Sequence, residues 1–384
     1  MAGFFGLVVL ALAGCSSGEA SMRESPIEGP GRVALSFADL EGWKADDQSA
    51  ALAAFRRSCQ RILALDDQAP LDTRGADISV YGRAGDWRPA CRAAASVGGG
   101  PAAARTYFET WFAPIRFEAG MESGSLITGY FEPVMKGSLT EGGIYRTPVL
   151  ALPSAFADAR AAGKLLPTRA EIEDMVASGR IDRRNALVWL ADPVDAFFLH
   201  VQGSGRVELP DGRMMRLAFA AKNDRPYTSI GKVLIDMGAI PREEVSMQTI
   251  RAWLEAHPDR IPSILRQNES YIFFRVLAGA APEAGPPGAE KVSLTPGRSL
   301  AVDRRYHPLG ALLWLDTRSP EPYGPGKVTL RRLMVAQDTG TAIRGLQRAD
   351  VFWGADSGAA EIAGRMKEPG ELIALVPKAI APQR

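Results

Sequence analysis

The stretch AQDTGTAIRGLQRADVFWG, residues 336–354, holds Asp338-Thr339-Gly340, the triplet by which aspartic proteases present a catalytic carboxylate, and Asp356-Ser357-Gly358 follows at once. Such proteases work because two carboxylates share one proton, each supplied by its own lobe or subunit. Two lobes need on the order of a hundred residues between the triplets. Asp338 and Asp356 are 18 positions apart, and a single-lobe homodimer would be much shorter than 384 residues. The triplet therefore serves another chemistry, and Asp350, between the two triplets, becomes the residue to follow.

Around this stretch lies a β-rich block of RSLAVDR, GALLWLD, KVTLRRLMVAQD, ADVFWG and ELIALVP. These segments are too closely spaced for a helix between each pair, which argues for β-barrels with helices attached and against a doubly wound parallel sheet. Upstream, the 3.6-residue periodicity of 48–65 predicts a helix, and the aromatics of 102–114 predict core packing. SLITGYFEPVMKGS reads as a strand that ends in the Lys136-Gly137-Ser138 turn. Thr168 with Glu171 forms a capping box opening a helix that ends near Gly179. ALVWLADPVDAFFLHVQGSGRVELPDGRMMRLAFAA reads as several strands with Pro210-Asp211-Gly212 as a hairpin turn. Helices follow over 229–238 and 242–256, the second with Val245, Ile250, Trp253 and Leu254 as its apolar face, and then SYIFFRVL returns to strand. AGAAPEAGPPGAE is a Pro/Gly-rich loop.

Hydrophobic content of 46% and charged content of 23% are those of a globular protein with a real core. The net charge of +1 comes from 45 basic and 44 acidic residues without a block of one sign, which excludes nucleic acid as a main partner. Phe4 to Ala13 is apolar but too short to span a bilayer, and with Leu12-Ala13-Gly14-Cys15 it resembles a bacterial lipoprotein signal. That resemblance implies a signal peptide over 1–15, a lipid on Cys15, a flexible tether over 16–35, and, with Ser16 after the Cys, the periplasmic face of a Gram-negative outer membrane. Met1-Ala2-Gly3 lacks the usual Lys or Arg, which a misassigned start would explain. Export would place Cys59 and Cys91 in an oxidising compartment. A disulfide there would close a loop of about 30 residues and stabilise by roughly 3 to 4 kcal/mol; two buried free thiols are the alternative. His200, His257 and His307 lack ligand spacing to one another or to a Cys, so no metal site is expected.

Asp303 in AVDRRYHPLG, Asp338 in AQDTGTAIRG and Asp350 in RADVFWG together resemble the 3D domain, named for three aspartates, of the membrane-bound lytic murein transglycosylase A family. The resemblance extends to TGYFEPV (128–134), VQGSGRVELPDG (201–212), AAKNDRPYTSIGKVLIDMGAI (220–240), MQTIRAWL (247–254) and QNESYIFF (267–274), in family order from about residue 125 onward. It implies a mainly β fold with helices. A double-psi β-barrel catalytic domain (36–135 and 273–384, with the 3D motif at 300–355) would be interrupted by a smaller β-barrel-like domain (136–272), with a glycan groove between them.

By the same resemblance Asp350 is a lone catalytic acid acting on the bond between N-acetylmuramic acid and N-acetylglucosamine, with peptidoglycan strands as partner and no cofactor. Such an acid must be protonated near neutral pH. Val351, Phe352 and Trp353 would supply a poorly hydrated setting, and Asp338 a like charge, that favour this form. Asp338 either orients the site or binds sugar; Asp303 is chiefly structural, since Asp in such turns binds local backbone. Gln202-Gly203-Ser204-Gly205 would let backbone approach a sugar. Thr128, Gly129, Tyr130, Asn223 and Gly340 complete the expected substrate contacts. Glu132 tempts as a second carboxylate, but the family implies no acid there. A wall-binding module resembling expansins, without turnover, and an aspartic peptidase are the alternatives. Partners in cell-wall synthesis or division complexes are not specified.

Overall fold

The computed structural model describes residues 31–72, 78–118, 124–279 and 284–382. The chain first makes β1 (Gly31–Ala34), β2 (Phe112–Glu118) and β3 (Leu126–Tyr130). It then builds a separate six-stranded sheet from β4 (Val134–Ser138), β5 (Thr147–Leu150), β6 (Ala186–Leu190), β7 (Ser204–Glu208), β8 (Met214–Lys222) and β9 (Ile272–Val276). It returns through β10 (Ser299–Val302), β11 (Leu312–Pro320), β12 (Lys327–Asp338), β13 (Arg348–Phe352), β14 (Lys367–Glu368) and β15 (Gly370–Pro377). The smaller sheet runs β5-β6-β4-β7-β8-β9 and the nine-stranded one β1-β2-β15-β11-β12-β10-β13-β3-β14.

Among the described residues neither order closes on itself, because β1 pairs only with β2 and the two-residue β14 only with β3. Two open sheets with helices, a mixed α/β architecture, stand where closed barrels were expected. Ile272–Val276, assigned by the boundary at 273 to the barrel, is the edge strand of the smaller sheet, paired with β8.

Helices cover the larger sheet. Gln48–Ile62 starts where the Asp47 side chain accepts from Ser49 N at 3.0 Å, and it buries Leu52, Phe55, Cys59 and Ile62 at the spacing its sequence prescribes. Its Phe55 packs on Trp87, Phe108 and Phe112. Cys59 and Cys91 form a disulfide with a Cα separation of 5.2 Å, joining this helix to Ala84–Ala94. Cys15 lies outside the described residues, and no described helix is long and apolar enough to cross a membrane.

One helix occupies a segment read as strand, and another follows the second triplet. Pro193–Gln202 begins with the Asp192 side chain accepting from Val194 N and with Pro193 at its first position, and ends at Gly203 in the left-handed region, φ +76°. It is buried on nearly every side, so its apolar run shows no stripe, and only the Asp-Pro cap betrays it. Ser357–Arg365 is capped by Asp356, whose Oδ1 accepts from Ala359 N at 2.7 Å. The second triplet is thus a helix cap. The capping box at Thr168 and Glu171 opens Arg169–Ala177 as its sequence prescribes.

Candidate active site

Asp350 sits at the middle of β13, between Ala301 of antiparallel β10 and Thr128 of parallel β3. Strand alternation turns Ala349 and Val351, both fully buried, into the core and leaves Asp350 on the other face, partly exposed. Thr128 Oγ1 donates to Asp350 Oδ1, and Arg348, two residues back on the same face, pairs with that oxygen. Among the described residues no hydrogen bond is made to Oδ2.

The apolar neighbours behave differently from the expectation that they would wrap the carboxylate. Val351 faces the core, Phe352 packs against Tyr130 with ring centroids 5.3 Å apart, and Trp353 lies over Gly129 and beside Phe131, Ala359 and Ala363. The groups that bond the carboxylate are polar. Arg348 was not anticipated; its i−2 position on a half-exposed strand was the available signal.

Asp338 ends β12 and shares Ala301 as register partner with Asp350, one strand on each side. Two interstrand spacings put their Cα atoms about 10 Å apart. Asp338 Oδ1 accepts from Thr339 N and Ala289 N, each at 2.9 Å, and Oδ2 accepts from the Tyr130 hydroxyl at 2.9 Å. Removal from water raises the pKa of Asp338 and the charge of Asp350 adds to this, while the three hydrogen bonds oppose it. Burial, and then the Asp338 charge, push the Tyr130 hydroxyl far above the ordinary phenol range, so it remains the donor of this pair.

Asp303 is 1% exposed. It ties its own turn to the loop that enters β13, accepting from Arg305 N at 3.1 Å and Gly345 N at 2.8 Å. His307 braces the same loop: its Nε2–H donates to Leu346 O at 2.8 Å, and Nδ1 pairs with the Tyr81 hydroxyl at 2.7 Å. Burial lowers the His307 pKa to about 4, which keeps the ring neutral.

Several expected sugar contacts are occupied within the protein. Asn223 is fully buried: its Nδ2 donates to Pro167 O and Glu269 O, and its Oδ1 accepts from Tyr271 N at 2.8 Å. That saturates it and removes it from the substrate set. Gln202 Oε1 accepts from Phe131 N at 3.0 Å, pinning the connection between the sheets. Gly203 is the helix cap described above, and Ser204 is buried at the start of β7. A Cβ at Gly205 would meet Leu199 and Met135 at 2.7 Å, and one at Gly129 would meet the Trp353 ring at 2.8 Å, so close packing explains both glycines. Gly340 turns beside Ile343, 3.1 Å from where its Cβ would stand. Of the set, Thr128 and Tyr130 alone bond to the aspartates of the site.

Glu132 is fully buried and ion-paired to Arg206 at 2.8 Å and Arg216 at 3.3 Å, both in the smaller sheet, while its N–H donates to Gly354 O beyond β13 at 2.7 Å. It joins the sheets and has no access to a ligand. Among the described residues no group of three or more His, Cys, Asp or Glu could hold a metal ion.

A lone partly exposed carboxylate beside a fixed hydroxyl and guanidinium, on a strand of a 3D-type sheet interrupted by an inserted sheet, defines a class: 3D-domain proteins that carry an insert. The comparisons agree. The family description "MltA specific insert domain" matches residues 126–275 and "3D domain" matches 298–376. The membrane-bound lytic murein transglycosylase A of Escherichia coli strain K12 is 35% identical over 254 residues, covering 65% of this chain and 64% of that protein. Its counterpart in Vibrio cholerae is 33% identical over 251 residues, covering 64% of each. The chain thus spans about 64% of the length of these curated relatives. Among solved structures, a membrane-bound lytic murein transglycosylase from Agrobacterium tumefaciens is 31% identical with a TM-score of 0.77, covering 91% of this chain and 98% of that one. Escherichia coli MltA with bound chitohexaose is 27% identical with a TM-score of 0.67, covering 91% and 95%. The chain belongs to the membrane-bound lytic murein transglycosylase A family.

Proposed function

We propose that this protein is a lytic transglycosylase that cuts the β-1,4 bond between N-acetylmuramic acid and N-acetylglucosamine in peptidoglycan strands. The observation that carries the reading is the division of labour at Asp350: Oδ1 is held by Thr128 and Arg348, while Oδ2 is left for proton traffic. The other carboxylates near the site are engaged, with Asp338 taking three hydrogen bonds and Glu132 and Asp303 buried in ion pairs.

A glycosidase with two free carboxylates uses the second as nucleophile or as base for water. Here one carboxyl must serve twice. Asp350 donates its proton to the glycosidic oxygen, the bond from that oxygen to C1 of the muramic acid breaks, and the N-acetylglucosamine leaves as an alcohol. The Asp350 carboxylate then takes the proton of the C6 hydroxyl, whose oxygen bonds to the cationic C1. The products are a free hydroxyl and a 1,6-anhydromuramic acid end; no water is consumed and Asp350 is again protonated. The Tyr130–Asp338 pair braces the neighbouring strand end and acts as an orienting group.

The finer architecture belongs to the same proposal. The parallel pairings of β10 with β12 and of β3 with β13, beside antiparallel ones, support a strand arrangement of the double-psi type in the larger sheet, with the smaller sheet of β4 to β9 as the insert. A groove between the sheets would take the glycan, and a lipid on Cys15 would hold the protein at the periplasmic face of the outer membrane.

Digestion of purified sacculi followed by mass spectrometry of the released sugars tests the activity. Anhydro-muropeptides are expected. Muropeptides with reducing ends would make the protein a hydrolase, and the absence of release would make it a binding module.

A further inference from the structure

Beside the catalytic strand, on the side of the 296–298 segment, lies a cavity of about 610 Å³ that no step of the proposed reaction uses. Its wall includes Asp46, Asp47, Pro296, Arg298, Arg331 and Arg332. The segment is fastened to the end of β13, since Gly297 N donates to Phe352 O at 2.7 Å. Phe352 is two residues from Asp350, which at strand rise is about 7 Å. The cavity therefore lies past the Phe352 end of the catalytic strand, farther from Asp350 than that spacing, where a glycan strand running beyond the cleavage point would pass.

The charges of the wall are matched, with one exception. Arg298 holds Asp46 through two hydrogen bonds of 2.7 and 2.9 Å. Arg331 is paired with both Glu41 and Asp316. Asp47 is occupied as the cap of Gln48–Ile62. Arg332 is half-buried, and among the described residues its guanidinium makes no hydrogen bond or ion pair, Asp46 being the one carboxylate whose charge acts on it, from a distance. Its Nη1 stands 2.5 Å from where a Cβ on Gly297 would be, and its Cζ lies 6.0 Å from the centre of the Trp353 ring. Burial and then the charge of Arg298 pull its pKa down, with the charge of Asp46 opposing them, so the positive charge is held there at a cost.

A half-buried guanidinium that feels, among anions, only the charge of an Asp46 already bonded to Arg298, and that opens on a cavity, is suited to an external anion. We propose that Arg332 is a binding residue for a carboxylate borne by the glycan strand, received in this cavity. The inference rests on the peptidoglycan reading and specifies which chemical feature of the strand is recognised. Two parts of such a strand offer the carboxylate: the lactyl group of muramic acid when it carries no peptide, or the acidic residues of an attached peptide stem. Both are absent from a chitin oligosaccharide, which has the same β-1,4-linked backbone.

The test is binding of the full chain carrying Asp350→Asn, so that no strand is cut, with and without Arg332→Gln, measured by isothermal titration calorimetry. The probes are chitohexaose, glycan strands stripped of peptides by an amidase, and strands with intact stems. The expected result is that Arg332→Gln weakens carboxylate-bearing strands about tenfold, with Arg332→Lys retaining part of the affinity, and leaves chitohexaose unchanged. A loss confined to stripped strands assigns the lactyl carboxylate, and a loss confined to stem-bearing strands assigns the peptide. An equal loss for chitohexaose, or no loss for any probe, overturns the proposal. Absence of binding of any strand by the Arg332-intact protein would instead refute the peptidoglycan reading.

Discussion

Thr128 and Asp350 are register partners on parallel neighbouring strands, 222 positions apart in sequence, and the hydroxyl of one donates to the carboxylate of the other. The strand pairing delivers the hydroxyl to that oxygen without help from a loop. A hydrogen bond to an ionisable group contributes about 1.5–3 kcal/mol. Thr128→Val keeps the shape and removes the donor. It is expected to lower kcat roughly 10- to 100-fold, with Thr128→Ser restoring most of it; unchanged turnover in the valine variant would show that the contact has no part in catalysis.

Asp350→Asn preserves the geometry but cannot deliver and then recover a proton. Release of sugars from sacculi should drop at least about a thousandfold. Co-sedimentation with sacculi should remain near that of the unmodified protein, and retained turnover would reject the assignment of this residue.

Glu132→Gln separates a structural carboxylate from a catalytic one. The buried ion pairs to Arg206 and Arg216 predict a loss of about 3 kcal/mol in urea denaturation. Turnover per folded molecule should be unchanged, because the carboxylate is fully buried. A selective loss of kcat would give the enzyme a second catalytic acid after all.

Glu290 carries a pH signature. It accepts from Ser58 Oγ at 2.6 Å; burial raises its pKa from 4.5 to about 8, against Ser58, Arg61 and Gln337, which lower it, and with Asp72, which raises it further. The folded state therefore binds more protons than the unfolded one between pH 4.5 and about 8, and stability falls as pH rises through that window. His307, with its pKa lowered to about 4, acts in the opposite direction below pH 6.5. The difference between the native protein and Glu290→Gln isolates the Glu290 contribution. That difference should change by a few kcal/mol, to order of magnitude, from pH 5 to pH 8. A pH-independent difference would contradict it.

Much of the local structure was legible in the sequence because its causes are local. The capping box at Thr168 and Glu171, the Pro210-Asp211-Gly212 hairpin between β7 and β8, and the apolar face of Gln48–Ile62 all arise from residues within a few positions of one another. Pro193–Gln202 was misread as strand because burial on nearly all sides erases the periodicity that separates helix from strand. Asp356 posed as half of a protease pair, and only the bond to Ala359 N shows a cap.

The sequence alone determined that the two triplets are not a protease pair, because 18 residues cannot separate two lobes, and its resemblance to the 3D motif pointed to Asp350. It could not determine which polar groups are spent. Asn223 is saturated by Pro167, Glu269 and Tyr271, Glu132 by arginines more than seventy positions away, and Asp338 by Ala289 and Tyr130. Whether a carboxylate or amide remains available to a ligand depends on partners brought in by distant segments. A buried polar group satisfies its hydrogen bonds with whatever the fold places beside it, and only the tertiary structure sets that placement.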